Sequence, residues 1–199
     1  ISAVKQGLKY PCSNAQQRLW LSEKSTADKG QFSIAVALKL PDGIDLLALK
    51  MAIKDLVEKY SILRTRYAES RSGTLLQEIM SSADFNVTEI NVTGDQHVNS
   101  ILDEENKRCF DLSNDFSVVA QIGVSSVDSC VYLFLTFHHI AFDGWSLSIF
   151  SDALKEAYEM RVSNEKDTVI MPNLQYVDYA AWEQSADGQK KYDEGLRYW

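Results

Sequence analysis

Apolar side chains recur at helical spacing in some segments of the chain and fill short extended runs in others. From Leu46 to Tyr60 they follow the 3.6-residue period, with charged residues on the opposite side, which predicts an amphipathic helix. Ser13 and Gln16 have the spacing of a capping box, which predicts a helix over Asn14–Lys24. Further helices are predicted at Gln96–Cys109, after Gly144, near Tyr176–Gln184 and at Gln189–Trp199.

Strand-like runs alternate with these helices. They are predicted at Phe32–Leu40, near Leu63–Ala68, Leu75–Met80 and Phe85–Val92, and at Val118–Ser125 and Cys130–His139. The last two are joined by a tight turn around Val127–Asp128, and Ser163–Pro172 is predicted to be a loop. The alternation predicts a mixed α/β fold, a two-layer sandwich in which a mixed sheet is flanked by helices.

The last of these strands ends in two adjacent histidines. Successive strand side chains point to opposite faces, so His138 shares one face with Tyr132, Phe134 and Thr136, and His139 lies on the other. Both faces are apolar, which predicts a central strand covered on both sides. Because the two imidazoles diverge, a shared zinc site is disfavoured. The geometry favours one buried structural imidazole and a second one open to a cleft.

Two residues beyond this strand bear on its chemistry. Asp143 is placed to orient an imidazole or to pair with an arginine, and Gly144 lets backbone approach closely before a helix whose first amides can face an oxyanion. A histidine at a strand end suits general-base catalysis, since its ordinary pKa lies near working pH. From spacing alone, a His-His pair at a strand end is more often a packing feature than a catalytic one.

Composition narrows the classes of partner. The 199 residues suffice for one compact domain, and 28 acidic against 20 basic residues give a net charge of −8. Without a basic cluster, neither nucleic acid nor an anionic membrane is expected as partner. Cys12, Cys109 and Cys130 have no paired spacing, so a reducing cytoplasmic location is expected. No apolar run is long enough to cross a bilayer.

Four ordered motifs carry a family resemblance. His138-His139-x-x-x-Asp143-Gly144, continued by Trp145-Ser146, resembles the HHxxxDG active-site motif of nonribosomal peptide synthetase condensation domains, within the chloramphenicol acetyltransferase-like acyltransferase superfamily. Three further segments resemble other motifs of that family, and the four together extend from residue 13 to residue 182: Ser13–Leu21, Leu63–Tyr67 and Tyr176–Trp182.

The chain departs from the family pattern in two ways. Lys59-Tyr60-Ser61 stands where the family usually has Arg-His-Glu. Family members also run to roughly twice this length, with a second lobe of the same fold that carries later motifs. We therefore expect residues 1–199 to form the N-terminal lobe, with the C-terminal lobe absent from this chain.

The resemblance implies an activity and its partners. Donor and acceptor carrier proteins bring substrates as thioesters on phosphopantetheine, and the acceptor amine attacks the donor carbonyl to form an amide bond. The carriers hold the phosphopantetheine, so the domain itself is expected to bind no cofactor and no metal. The missing lobe and a neighbouring adenylation domain of the same synthetase are the other implied partners, and natural product biosynthesis is the implied context.

The resemblance also assigns roles to residues. His139 corresponds to the catalytic histidine, whether as general base or as positioning group, while His138 is expected to be buried and structural. Asp143 is expected to pair with Arg64, and Gly144 to supply either a backbone amide near the tetrahedral intermediate or a tight turn. Arg18 and Trp145 are expected to support the structure, as are four residues of the last motif: Tyr176, Asp178, Tyr179 and Trp182.

Two alternatives remain open. One is a CoA- or carrier-dependent acyltransferase of the same superfamily. The other is a non-catalytic lobe that only docks carrier proteins. A tunnel built between two lobes is incomplete in one, so the isolated lobe is expected to be inactive in either enzymatic case.

Overall fold

Two sheets form the strand framework, and the larger one carries the histidines. The computed structural model describes residues 1–4, 9–27, 30–127, 129–163 and 171–198. Numbered along the chain, the larger sheet has the order β2 (Ser33–Lys39), β7 (Val131–His138), β6 (Val118–Ser125) and β5 (Val87–Val92). β5 and β6 are parallel and the other neighbours are antiparallel. The mixed sheet predicted from the sequence is thus confirmed.

Helices cover both faces of this sheet. α2 (Leu46–Lys59) and α4 (Gly144–Val162) pack on the face that includes Leu133, Leu135 and Phe137. α3 (Asp95–Glu105) packs on the other face, against Tyr132 and Phe134. β7 is therefore central and buried on both sides, as its two apolar faces predicted.

The smaller sheet was only partly predicted. Its order is β1 (Tyr10–Pro11), β4 (Leu75–Ile79) and β3 (Thr65–Glu69), all antiparallel. The extended runs near β3 and β4 were predicted, whereas β1 was not, because two residues carry no periodicity. A 3₁₀ turn at Ser61–Arg64 occupies the start of the predicted Leu63–Ala68 run.

The remaining helices are α1 (Asn14–Ser25), α5 (Tyr176–Glu183) and α6 (Ala186–Tyr198), each close to its predicted place. Most of the predicted loop at Ser163–Pro172 lies outside the described residues, as do Asp128 of the predicted tight turn and Trp199. No helix in the described ranges has both the length and the apolar character needed to cross a membrane.

The start of α1 is fixed to the smaller sheet by polar side chains. The predicted capping box is present, because Ser13 N donates to Gln16 Oε1 at 2.8 Å and Gln16 N donates to Ser13 Oγ at 3.1 Å. Gln16 Nε2 donates to Tyr67 Oη at 3.1 Å, and both residues are fully buried. A polar network thus fixes the start of α1 to β3 of the smaller sheet.

Packing around Gly123 on β6 leaves no room for a side chain. A Cβ atom there would lie 2.6 Å from Val92 Cγ2 and 2.8 Å from Phe134 Cε2, closer than van der Waals contact. We expect Gly123→Ala to lower the free energy of unfolding by about 1–3 kcal/mol, measured by chemical denaturation. Gly195→Ala is the matched control, because a Cβ atom at that position would have no neighbour within 4 Å. Equal stability of the two variants would contradict this packing.

Candidate active site

The end of β7 separates the two adjacent histidines. His138 is the last residue of the strand and is 1% exposed, whereas His139 is exposed in the turn that follows. The predicted division between a buried imidazole and an open one is confirmed by this burial. The catalytic role of either residue is a separate question that burial does not answer.

The ring of His138 is held by backbone and aromatic contacts. Its Nδ1 accepts a hydrogen bond from Ile140 N at 3.0 Å, so the ring proton lies on Nε2. The rings of Phe32 and Phe110 pack against it, with centroids at 6.1 and 5.7 Å. Burial, and to a smaller extent the neighbouring His139, lowers the pKa of His138 to about 4. His138 is therefore neutral at physiological pH and fixes the turn that contains His139.

The ring of His139 carries its proton on Nδ1, the opposite nitrogen from that in His138. Its Nδ1 lies 2.7 Å from the carbonyl oxygen of Phe142, and since a carbonyl only accepts, Nδ1 carries the proton. Its backbone N also donates to Phe32 O at 2.8 Å, which fixes the position of the residue beside β2. Nε2 consequently keeps its lone pair, which makes it able to accept a proton.

A cleft of about 380 Å³ opens beside His139. Its walls come from α1, from Ile62, from the first turn of α4 and from Tyr176 on α5. Tyr176 Oη lies 3.0 Å from Ser13 Oγ, so this phenol links α5 to the start of α1. The full lining is Ala15, Gln16, Leu19, Ile62, His139–Asp143, Ser146 and Tyr176.

Asp143 caps the helix that begins beside the cleft. Its Oδ1 accepts from Ser146 N at 2.9 Å and from Ser146 Oγ at 2.7 Å, a capping arrangement for α4. The two hydrogen bonds from Ser146 lower the pKa of the Asp143 carboxyl below its usual value. The carboxylate thus stabilises the N-terminus of α4 and contributes negative charge near His139.

The backbone does turn at Gly144, where α4 begins and Ser146 N donates to Asp143 O at 3.1 Å. Gly144 is not among the glycines with positive φ in the described residues, and a Cβ atom at that position would meet nothing within 4 Å. The described residues therefore impose no need for glycine in this turn. The other predicted role, a backbone amide near the reacting carbonyl, stays a prediction.

The predicted pair between Asp143 and Arg64 is wrong. Arg64 donates through Nε to Val57 O at 3.1 Å and through Nη2 to Glu58 O at 3.3 Å, the last carbonyls of α2. Its Nη1 donates to Met80 O at 2.6 Å. Helix ends leave carbonyls without intrahelical donors, and Arg64 satisfies two of them.

Arg18 and Trp145 do not support the lobe in the way predicted. Arg18 is exposed, because it lies on the face of α1 opposite Gln16. Trp145 is 84% exposed, because it lies in the first turn of α4 opposite the buried face that holds Phe150 and Leu154. Trp145 does start the helix, as predicted, without packing into the core.

The last motif forms the predicted packing cluster. The ring centroids of Tyr176 and Tyr179 are 5.6 Å apart, and those of Tyr179 and Trp182 are 5.9 Å apart. Asp178 is buried and accepts from Val4 N and Gln175 N, each at 2.6 Å. Together these contacts hold α5 against the N-terminal segment.

Three parts of the site were not predicted. These are the Phe142 carbonyl that orients His139, the Tyr176 hydroxyl beside the cleft, and Glu23, which faces His138. The sequence holds a signal for Glu23, which lies two helical turns after Gln16 and thus on the same face of α1. Carbonyl positions depend on backbone geometry and leave no residue-type signal.

The cysteines and acidic groups form no second centre in the part of the chain that the structure describes. Cys12, Cys109 and Cys130 form no disulfide there. Burial raises the pKa of the Cys12 thiol to about 12, which leaves it protonated and unreactive. Within the same ranges no cluster of three or more potential metal ligands is present.

The family model described as the condensation domain matches residues 6–199. The chain belongs to the condensation domain family. Similarity to nonribosomal peptide synthetases and to solved condensation-type domains confirms the resemblance carried by the four motifs and the chloramphenicol acetyltransferase-like fold.

The similar proteins are synthetases much longer than this chain. A dimodular nonribosomal peptide synthase of Bacillus subtilis (strain 168) is 35% identical over 92% of this chain and 8% of its own length. A linear gramicidin synthase of Brevibacillus parabrevis is 30% identical over 98% of this chain and 4% of its own length. The chain therefore spans a small fraction of the curated relatives it matches.

Solved condensation-like domains share the fold. The X-domain in complex with OxyB from teicoplanin biosynthesis superposes with a TM-score of 0.84 at 29% identity, covering 96% of this chain and 42% of that one. The condensation domain from the monacolin K polyketide synthase MokA gives a TM-score of 0.81 at 17% identity, covering all of this chain and 43% of that one. The chain thus spans about two fifths of these solved domains.

The buried His138 predicts a pH dependence of stability. An unfolded histidine binds a proton as the pH falls through 6.5, whereas folded His138 does so only near 4, so acidification favours unfolding in this window. Between pH 7 and pH 5 we expect His138 to cost the folded state at most about 2 kcal/mol, because the Glu23 carboxylate 3.7 Å from its Nε2 favours the protonated ring. His138→Gln should flatten the dependence by that amount in denaturation curves, whereas His97→Gln on α3 serves as control. Parallel curves for wild type and His138→Gln would refute this assignment.

The cap of α4 predicts different effects for two substitutions of Asp143. Asp143→Ala removes the acceptor for Ser146 N and should lower the free energy of unfolding by about 1 kcal/mol. Asp143→Asn keeps a good capping side chain and should lower the free energy of unfolding by only about a few tenths of a kcal/mol. Thermal or chemical denaturation distinguishes the two variants, and an equal loss in both would point to a role of the charge rather than of the cap.

Proposed function

We propose that this chain forms the N-terminal lobe of a peptide-bond-forming condensation domain in which His139 acts on the acceptor amine. The orientation of His139 carries the proposal. Its Nδ1–H is held by the Phe142 carbonyl, and its Nε2 lone pair is left available at an exposed position beside the cleft. Membership of the condensation family supplies the reaction class.

The proposed reaction transfers the acyl group from the donor thioester to the acceptor amine. The acceptor amine attacks the donor thioester carbonyl, which forms the C–N bond and a tetrahedral intermediate. His139 Nε2 accepts the amine proton, the C–S bond breaks, and that proton neutralises the departing phosphopantetheine thiolate. A base of this kind contributes about 10²–10⁴ in rate, and holding two tethered substrates together contributes further.

The proposal names the partners that the relatives suggest. Donor and acceptor carrier domains would bring the phosphopantetheine thioesters, and the domain itself would hold no cofactor. A second lobe would close the open side of the cleft, consistent with a chain that spans about two fifths of the solved domains it resembles. An adenylation domain of the same synthetase would load the acceptor carrier. The reducing cytoplasm remains the expected location, because the spacing of the three cysteines in the sequence does not suggest a disulfide framework.

A docking function is the second candidate. It is favoured by the likeness to the X-domain, which was solved in complex with OxyB. In that case the lobe would recruit a protein partner, and His139 would have no catalytic consequence. A CoA-dependent acyltransferase is the third candidate, and it would accept a donor without any carrier protein.

A condensation assay tests the proposal. This chain and a version continued through the second lobe of its parent are mixed with loaded donor and acceptor carriers, and carrier-bound product is followed by intact mass. We expect product from the longer chain alone. His139→Ala should lower the rate by about 10²–10⁴, by an amount that varies with the acidity of the acceptor amine.

The controls separate the candidates. His97→Ala removes a histidine of α3 and should leave the rate unchanged. Turnover that His139→Ala leaves intact with every acceptor rules out catalysis by this residue. Carrier binding without product supports the docking candidate, whereas product from a CoA thioester donor supports the CoA-dependent one.

A further inference from the structure

Glu23 occupies an unfavourable place for a carboxylate. It is 7% exposed and lies in the last turn of α1, where the helix dipole is negative. Burial of a carboxylate is costly unless hydrogen-bond donors face it. The two buried residues of α1 are both polar: Gln16, whose partners lie in the smaller sheet, and Glu23. The surroundings of Glu23 therefore indicate what its carboxylate does there.

The Glu23 carboxylate faces the buried edge of His138. Its Oε2 lies 3.7 Å from His138 Nε2, and the two side chains are 10% and 1% exposed. Within the described residues, Nε2 has no hydrogen-bond partner at closer range. Since Nδ1 of the same ring accepts from Ile140 N, Nε2 carries the proton and directs it toward the carboxylate. At this distance the contact is electrostatic rather than a hydrogen bond.

The tautomer of His138 controls the turn that holds His139. If the proton moved from Nε2 to Nδ1, two N–H groups would oppose each other at Ile140 and their hydrogen bond would be lost. Ile140 directly follows His139, and Ala141 N donates to His138 O at 3.0 Å in the same turn. This turn also leads to Phe142, whose carbonyl orients the ring of His139.

We propose that Glu23 is a positioning residue, whose carboxylate keeps His138 as the Nε2–H tautomer and thereby holds His139 in its orientation toward the cleft. Glu23 touches no reacting atom in this arrangement and acts through two residues of β7 and its turn. The consequence for turnover rests on the proposed function, whereas the consequence for the tautomer does not.

Nitrogen NMR of histidine-labelled protein tests the tautomer directly. In the longer, two-lobed protein, wild-type His138 should show the Nε2–H pattern. Glu23→Met preserves length and helix propensity but removes the acceptor, so a substantial Nδ1–H population should appear. Glu23→Gln restores an acceptor oxygen and should restore the wild-type pattern. Glu23→Asp keeps the charge but moves it away from His138 by one methylene, so its Nδ1–H population should lie between those of the wild type and Glu23→Met. This variant replaces Glu23→Met in the test if Glu23→Met does not fold.

Turnover should follow the same order. We expect Glu23→Met to lower kcat by about 10–100-fold, the range seen when a partner that orients a histidine is removed. KM for the carriers should change little, because Glu23 is not among the residues that line the cleft. Glu105→Met is the matched control, since Glu105 is 8% exposed on α3 and bonds to Thr136 and Arg108. It should reduce stability without altering the His138 tautomer or the kcat of the folded fraction.

Each outcome decides one of the two proposals. A folded Glu23→Met or Glu23→Asp protein with wild-type tautomer and wild-type kcat overturns the role of Glu23. A tautomer change in a protein that makes no product with any carrier pair supports the role of Glu23 and contradicts the proposed function. An equal loss of kcat in Glu23→Met and Glu105→Met reduces the effect to general destabilisation and also overturns it.

Discussion

The alternation of side chains along β7 and into the residue after it places two histidines in different environments. His138 and His139 are neighbours, yet one lies between Phe32 and Phe110 and the other beside an open cleft. The buried ring is neutral and accepts at Nδ1, whereas the open ring donates at Nδ1 and keeps a lone pair at Nε2. The pleat of the strand thus gives two identical residues different places: one imidazole supports the turn, and the other presents a lone pair to the cleft.

Asp143 and Arg64 each engage a helix end rather than each other. Asp143 satisfies amide hydrogens at the start of α4, and Arg64 satisfies carbonyls at the end of α2. Both ends would otherwise hold backbone groups without partners close to the cleft. The fixed ends of α2 and α4 in turn set the positions of Ile62 and Ser146 in the wall.

Features of the fold that depend on local periodicity were predictable from the sequence. The central strand, the covering helices, the α1 capping box and the divergence of the two histidines all follow from side-chain spacing. The pair of Arg64 with Asp143 failed because spacing gives the face a side chain occupies and not the competing partners within its reach. The environment of Glu23 was missed for the same reason, since a single acid in a polar helix looks solvent-facing until the helix is docked.

The cleft is lined by His139 and by residues from separate elements of the chain. His139 directly follows a strand that is hydrogen-bonded on both sides, and its backbone N donates to Phe32 O at 2.8 Å. Ala15, Leu19, Ile62 and Tyr176 come from other elements and do not hold the imidazole. Substitutions in these walls can therefore change the shape of the cleft while the imidazole stays in place. Within one lineage, the cleft can diverge without the orientation of this ring being lost.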